Sequence, residues 1–228
     1  MNGVVIVAAG KGSRMKMDIN KQFIKLNEKE IVAYTIEKFY NHSNIQDIVV
    51  VVREEEANIL KKEILEKYNF KNIKIAFGGK ERQDSVYNGL KMLDKDCKNV
   101  LVHDGARPFV SKEIINNSID AAKKHNAVVV GVPVKDTIKV VTKDNDIVDT
   151  PDRSMLWAVQ TPQTFNYEIL MKAYESAFES EFYGTDDAML IERIGYKVKM
   201  IEGSYNNIKV TTPEDINMGI QILKSQNL

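Results

Sequence analysis

The chain's 228 residues include 32 Lys+Arg against 32 Asp+Glu, no net charge, 43% hydrophobic residues and one cysteine. Neutrality removes the basic excess with which nucleic-acid binders meet a polyanion, and Cys97 alone cannot form an internal disulfide. The longest apolar runs, residues 4–9 and 127–134, fall short of the roughly 20 residues of a membrane-spanning helix. With no leader-like segment at Met1, the expectation is a single α/β domain over residues 1–228 in a reducing cytoplasm.

Short β-branched runs predict strands at residues 4–9, 48–52, 73–77, 100–103 and 127–132, apolar almost throughout, as strands buried on both faces are. Helical patterns separate them. Ile59, Leu60, Ile64, Leu65 and Tyr68 repeat at the helical period, as do Ile115, Ile119 and Ala122, and then Leu170, Ala173, Tyr174 and Ala177. Thr212, Pro213, Glu214 and Asp215 signal a last helix through a capping hydroxyl, a first-turn proline and early carboxylates, with an apolar line Ile216, Ile220, Leu223. Strand-helix alternation of this kind builds a mostly parallel sheet flanked by helices. Residues 137–149 break the rhythm: β-branched runs flank Lys143-Asp144-Asn145-Asp146, predicting a β-hairpin that projects as an arm over approximately residues 137–157.

Chemistry gathers where strands end. The first strand runs into Ala8-Ala9-Gly10-Lys11-Gly12-Ser13-Arg14-Met15, a glycine loop at the sheet edge where open α/β folds bind ligands. Its amides suit phosphate oxygens, and Arg14 and Lys21 beyond it either clamp a polyphosphate or are solvated surface charges. Met15 stands where a dinucleotide fingerprint needs its third glycine, and Asp47 begins rather than ends the next strand, which argues against an NAD-dependent oxidoreductase. Gly79-Lys80 is followed by Glu81, so it is not a Walker motif. After the third strand comes Gly78-Gly79-Lys80-Glu81-Arg82-Gln83-Asp84-Ser85-Val86, a glycine turn leading into a helix near Ser85, with Asp84 or Ser85 as a plain N-cap in the simplest reading. After the fourth comes His103-Asp104-Gly105-Ala106-Arg107-Pro108. Here Asp104 can hold Mg²⁺ and Arg107 can fork onto phosphate, or the two can form a buried ion pair. A Ser85-His103-Asp104 triad is rejected because adjacent strand residues face opposite ways. Singly, Thr185 reads as a helix cap and Lys209 as an exposed strand-end lysine.

As an ordered set these motifs resemble the 2-C-methyl-D-erythritol 4-phosphate cytidylyltransferase family from residue 5 to about residue 216. The match extends through Lys21-Gln22, Pro133-Val134-x-Asp136-Thr137-x-Lys139, Asp152-Arg153, Leu156-Trp157, Thr161-Pro162-Gln163, Thr185-Asp186 and Asn207-Ile208-Lys209-Val210-Thr211. Asn20 and Gly105 depart from it, standing where proline and alanine are frequent. The resemblance implies a single-domain Rossmann-like nucleotidyltransferase fold and the joining of CTP to methylerythritol phosphate with loss of pyrophosphate. It implies that Ala8, Ala9, Gly10, Lys11, Gly12 and Ser13 wrap the triphosphate and ribose, and that Gly79, Lys80 and Ser85 read cytosine, with Arg82 and Gly105 in the same CTP-binding set. Arg14 and Lys21 would stabilise charge at the α-phosphate, with Arg153 and Lys209 as further catalytic cations. Asp104 would hold Mg²⁺, and Asp104, Arg107, Thr137, Arg153, Thr185 and Lys209 the sugar phosphate. Thr137 and Arg153 flank the arm and would reach a partner's site, making the unit a homodimer.

Two other functions fit parts of the pattern. A ribitol 5-phosphate cytidylyltransferase shares Arg107-Pro108-Phe109 and Gln160-Thr161-Pro162-Gln163, but Ala8-Ala9-Gly10 and the complete Asp136-Thr137-x-Lys139 segment speak against it. A CTP-sensing module without turnover could dispense with some of Arg14, Lys21, Asp104 and Lys209, all of which are present. The length leaves no room for the attached cyclising synthase of a bifunctional form.

Overall fold

The computed structural model describes residues 1–10 and 21–225. Seven strands form one sheet in the order β11-β7-β10-β6-β1-β4-β5. Four of them, β1 (Asn2–Val7), β4 (Asp47–Val52), β5 (Lys74–Phe77) and β6 (Asn99–Asp104), pair in parallel. β10 (Trp157–Asn166) runs antiparallel between β6 and β7 (Ala127–Pro133), and β11 (Lys199–Glu202) closes the far edge parallel to β7. The five predicted strands are all present, each within two residues of its expected bounds at either end.

Alternation along the strands builds two cores. Val4, Ile6, Val50 and Val52 face α1 (Ile31–Tyr40), the helical segment that begins as α2 (Ala57–Ile59) and continues as a π-helix (Leu60–Glu66), and α4 (Lys112–His125). Val5, Val49, Val51 and Val102 face α3 (Arg82–Met92), α5 (Tyr167–Glu179) and α6 (Asp187–Arg193). The sequence reading missed α1, although Ile31, Val32, Thr35, Ile36 and Phe39 are buried at helical spacing. It also missed the small hairpin β2 (Lys25–Leu26) and β3 (Lys29–Glu30).

The last helix, α7 (Pro213–Ser225), is present, with one correction to its apolar line. Its buried line is Gly219, Ile222 and Leu223, not Ile220, because Gly219 lets Phe109 and Leu26 approach to where a side chain would stand. Its start is closed by the Asp215 carboxylate, which accepts the Thr211 and Thr212 N–H groups at 2.8 Å each.

The arm is the expected hairpin: β8 (Val140–Val141) pairs with β9 (Ile147–Asp149), and Asn145 takes φ 68° in its turn. Every residue from 135 to 150 is exposed.

Candidate active site

A cleft of about 640 Å³ opens where β1, β4, β5 and β6 end. This is the crevice that a change of chain direction about β1 creates in such a sheet. The strand ends are fastened across it: Ala8 N–H donates to the Val51 carbonyl (2.7 Å), Gly78 N–H to Val52 (2.8 Å) and Gly105 N–H to Val7 (2.8 Å). Ala9, Gly10, Gly79, Lys80, Arg82 and Ser85 line one side, Asp104, Ala106 and Lys209 another. Gly78 and Gly79 are needed here by close approach. A Cβ on the first would lie 2.5 Å from Ala9 Cβ, and on the second 2.3 Å from Asp84 Cβ.

Ser85 is buried and works locally, accepting the Gly79 N–H (3.0 Å) and donating to the Glu81 carbonyl (3.0 Å). The N-cap of α3 is Glu81, earlier than expected, and Asp84 accepts its N–H (2.8 Å). Gly105 is buried against Ala8, where a methyl group would meet Ala8 Cβ at 3.0 Å. Its carbonyl accepts the Thr35 hydroxyl (2.9 Å).

The charged centre is Asp104. Lys209 Nζ lies 2.8 Å and Arg107 Nε 3.4 Å from its Oδ2, and Arg82 Nε 3.9 Å from its Oδ1. Burial pushes the Asp104 carboxyl up, but the charges of Lys209, Arg82 and Arg107 overcome this and hold it well below the usual carboxylate range. The Asp104–Arg107 pair that the sequence left open is therefore present, inside a larger cluster. Arg107 also donates to the Asn207 carbonyl (2.8 Å). Asn207 in turn donates to the Thr161 carbonyl (2.9 Å), and Val210 N–H to Ala106 (2.8 Å). These bonds bring the irregular segment that carries Lys209 onto the end of β6, so Lys209 is not a strand-end lysine pointing into water.

His103 points away from the cleft, its ring 4.9 Å from that of Phe39, which disposes of the triad. The Arg107 carbonyl can only accept, so His103 Nε2 carries the proton and donates to it (3.1 Å). Nδ1 of the neutral ring then accepts the Thr161 hydroxyl (3.1 Å), whose oxygen also accepts the Asp104 N–H (3.0 Å). Burial pushes the His103 pKa down to about 4.

Of the other predicted residues, Lys11, Gly12, Ser13 and Arg14 lie outside the described residues. Lys21 opens a 3₁₀ turn, Lys21–Phe23, in which Gln22 lines the cleft and donates to the Ala8 carbonyl. Ala8, Gly105 and Arg107, which lie directly behind the lining, and Thr137, Arg153 and Thr185, farther along the chain, do not line this cleft. Arg153 borders a second hollow of about 460 Å³ at the base of the arm and donates to the Lys135 carbonyl (2.8 Å). Thr185 is exposed, and Asp186, not Thr185, caps α6 by accepting the Met189 N–H (3.0 Å). Unforeseen were Arg53, Glu54 and Glu55 on the cleft wall, and Asp187, buried under Arg82 (2.8 Å) and bonded by the Tyr174 hydroxyl.

The donor set suits a divalent cation brought in by phosphates. Asp104 Oδ2 is taken by Lys209, while Oδ1 meets Arg82 only at 3.9 Å, beyond hydrogen-bond reach. No group of three or more His, Cys, Asp or Glu among the described residues could hold a metal ion by itself. One carboxylate completed by substrate phosphates is a common Mg²⁺ arrangement.

A family model described as IspD, 2-C-methyl-D-erythritol 4-phosphate cytidylyltransferase, matches residues 3–225. The chain belongs to this family. A 2-C-methyl-D-erythritol 4-phosphate cytidylyltransferase of Clostridioides difficile (strain 630) is 61% identical over 226 residues, covering 99% of this chain and 95% of the relative. One from Alkaliphilus oremlandii (strain OhILAs) is 50% identical over 98% of this chain and 95% of its own. The crystal structure of the 4-diphosphocytidyl-2C-methyl-D-erythritol synthase of Anaerococcus prevotii DSM 20548 superposes with a TM-score of 0.87 at 36% identity, covering 98% and 96% of the two chains. The family's fold and its nucleotidyltransferase activity are thus those expected from the motifs, and among the described residues no helix is long and apolar enough to cross a membrane.

Proposed function

We propose that the cytidylyl transfer of this family, CTP and 2-C-methyl-D-erythritol 4-phosphate giving 4-diphosphocytidyl-2-C-methyl-D-erythritol and pyrophosphate, takes place in the cleft around Asp104. The observation that carries the assignment is the cluster of Lys209, Arg107 and Arg82 about Asp104 beside the glycine loops. A phosphate oxygen of the sugar phosphate attacks the α-phosphorus in line as the bond to pyrophosphate breaks. That nucleophile is already anionic, so the site supplies alignment and charge neutralisation rather than a base.

In this reading Ala8, Ala9, Gly10, Lys11, Gly12 and Ser13 hold the triphosphate and ribose, and Arg14 and Lys21 neutralise the α-phosphate and the departing pyrophosphate. Gly79, Lys80 and Ser85 read cytosine; Arg82 completes that wall, and Gly105 supports it from behind. Lys209 and Arg107 meet the sugar phosphate, joined by Thr185. Asp104 Oδ1 would hold Mg²⁺, which when bound lowers the repulsion between the two anions. Thr137 and Arg153 act from the arm of a second chain in a homodimer. The arm's exposed Val140, Val141, Ile147 and Val148 support this, since an isolated two-stranded hairpin is marginal in water. The setting is cytoplasmic.

The test is pyrophosphate release from CTP and Mg²⁺ with 2-C-methyl-D-erythritol 4-phosphate and, in parallel, D-ribitol 5-phosphate. Turnover is expected with the first. Turnover with the second alone would move the chain to polyol-phosphate activation, and tight CTP binding without turnover on either would make it a sensor.

A further inference from the structure

Thr185 sits between two buried glutamine amides, each of which grips the backbone or cap of its own segment with both ends. Gln83, in the first turn of α3, donates from Nε2 to the Phe182 carbonyl (3.0 Å) and accepts the Gly184 N–H at Oε1 (3.0 Å). Gln163, on β10, donates from Nε2 to Asp186 Oδ2 (2.7 Å) and accepts the Ala188 N–H at Oε1 (3.1 Å). The two glutamines are 5% and 1% exposed, while their partners Phe182, Gly184 and Asp186 are half-buried. In each case the opposite amide orientation would set donor against donor and acceptor against acceptor, so the pairing is unique.

The consequence falls on the residue left in the middle. Residues 182 and 184 are held from one side, 186 and 188 from the other. Thr185 is exposed, and among the described residues its hydroxyl meets the Met189 sulfur, at 3.8 Å. Asp186 takes the helix-capping duty. A segment fastened this closely around a hydroxyl without a strong partner holds that hydroxyl ready for a ligand. Gln83 adds a further connection. Its neighbours on the same turn, Arg82 and Ser85, line the nucleotide cleft, and Arg82 reaches Asp187 in the same gripped segment.

We propose that Gln83 is a positioning residue for the sugar phosphate: its amide latches residues 182–184 to the start of α3 and so sets the Thr185 hydroxyl. This rests on the reading of Thr185 as a ligand of that substrate.

Steady-state kinetics of Gln83→Ala, Gln83→Glu, Thr185→Ala and the Gln83→Ala/Thr185→Ala double variant test it, with calorimetric titration of CTP alone as the control. Two net hydrogen bonds correspond to a rise in KM of about tenfold. Gln83→Ala is expected to raise KM for the sugar phosphate by about that factor, leaving CTP affinity and kcat within about twofold. Gln83→Glu keeps the shape and the Gly184 bond but turns a bare oxygen on the Phe182 carbonyl; it moves the same KM, and carries the test if Gln83→Ala does not fold. The double variant is expected to be no worse than Thr185→Ala, because the two act as one unit. An unchanged KM in both Gln83 variants beside a raised one in Thr185→Ala overturns the latch alone, as does equal loss for both substrates or a multiplicative double variant. A silent Thr185→Ala overturns the reading of Thr185, and the latch falls with it.

Discussion

Lys209 Nζ lies 2.8 Å from Asp104 Oδ2, although one belongs to an irregular segment near the end of the chain and the other to the end of the central strand β6. The ammonium is about one-third exposed and the carboxylate nearly buried, so the pair has one end in the cleft and one in the core. Lys209→Ala is expected to raise KM for the sugar phosphate by about ten- to a hundredfold, the scale of a lost charged hydrogen bond, with CTP affinity intact. Calorimetric titration with CTP alone checks the second half; weakened CTP binding would place Lys209 on the nucleotide.

Arg14→Ala and Lys21→Ala should lower kcat more than they raise KM for CTP, because their charge counts most when pyrophosphate is leaving. Single-turnover kinetics separate the two effects. A change confined to KM would make both residues simple binding groups.

If Thr137 and Arg153 serve the partner's site, co-expression of an Arg14→Ala chain with an Arg153→Ala chain restores activity in mixed dimers, since one of the two sites is then whole. Purified singly, each variant stays inactive. No recovery in the mixed preparation would put both residues in their own chain's site.

Acid should destabilise the fold before most carboxylates titrate. His103 is held neutral, its pKa pushed from 6.5 to about 4 by burial, and burial lowers that of His42 as well. The unfolded chain therefore binds more protons than the native one between these values. The stability His103 contributes is complete above about pH 6.5 and is lost as pH falls toward 4, on the order of 3 kcal/mol. The depressed Asp104 acts in the same direction at lower pH. Melting temperatures measured from pH 8 to pH 4 should fall most steeply below pH 6.5, and a flat profile there would show that neither histidine titrates on unfolding.

Asp187→Ala should be among the more damaging changes outside the cleft. Asp187 is 1% exposed and receives Arg82 and the buried Tyr174 hydroxyl; without it the hydroxyl loses that bond and Arg82 is left with Asp104 at 3.9 Å. Breaking a buried pair from one side costs about 3–5 kcal/mol, a fall in Tm of roughly 10 °C in a chain of this size. Differential scanning calorimetry measures it, and Asp187→Asn, which keeps the shape and accepts one bond, should lie in between.

What could be read without coordinates was whatever depends on neighbours in sequence. The runs at β1, β4, β6 and β7 are buried on both faces, so each is continuously apolar and recognisable by itself. Gly78 and Gly79 could be recognised as a turn because close backbone approach admits little else. β10 escaped notice for the converse reason. Gln160, Thr161, Gln163 and Thr164 are buried but polar, and Pro162 falls at the register shift between Val159 and Gln163, where a missing N–H is tolerated. Three of those side chains find partners in His103, Asp186 and the loop holding Ser204 and Asn207, none of them visible in local periodicity.

The sequence alone therefore determined the alternating fold, the projecting hairpin and the family chemistry, since apolar period, turn residues and motif order are written locally. Tertiary structure decided which charges surround Asp104, that Asp186 rather than Thr185 caps α6, and that Gln83 and Gln163 grip the segment between them. These are hydrogen bonds and ion pairs between groups far apart along the chain. Their geometry exists only once the strands have brought the groups together and burial has removed the water that would otherwise satisfy them.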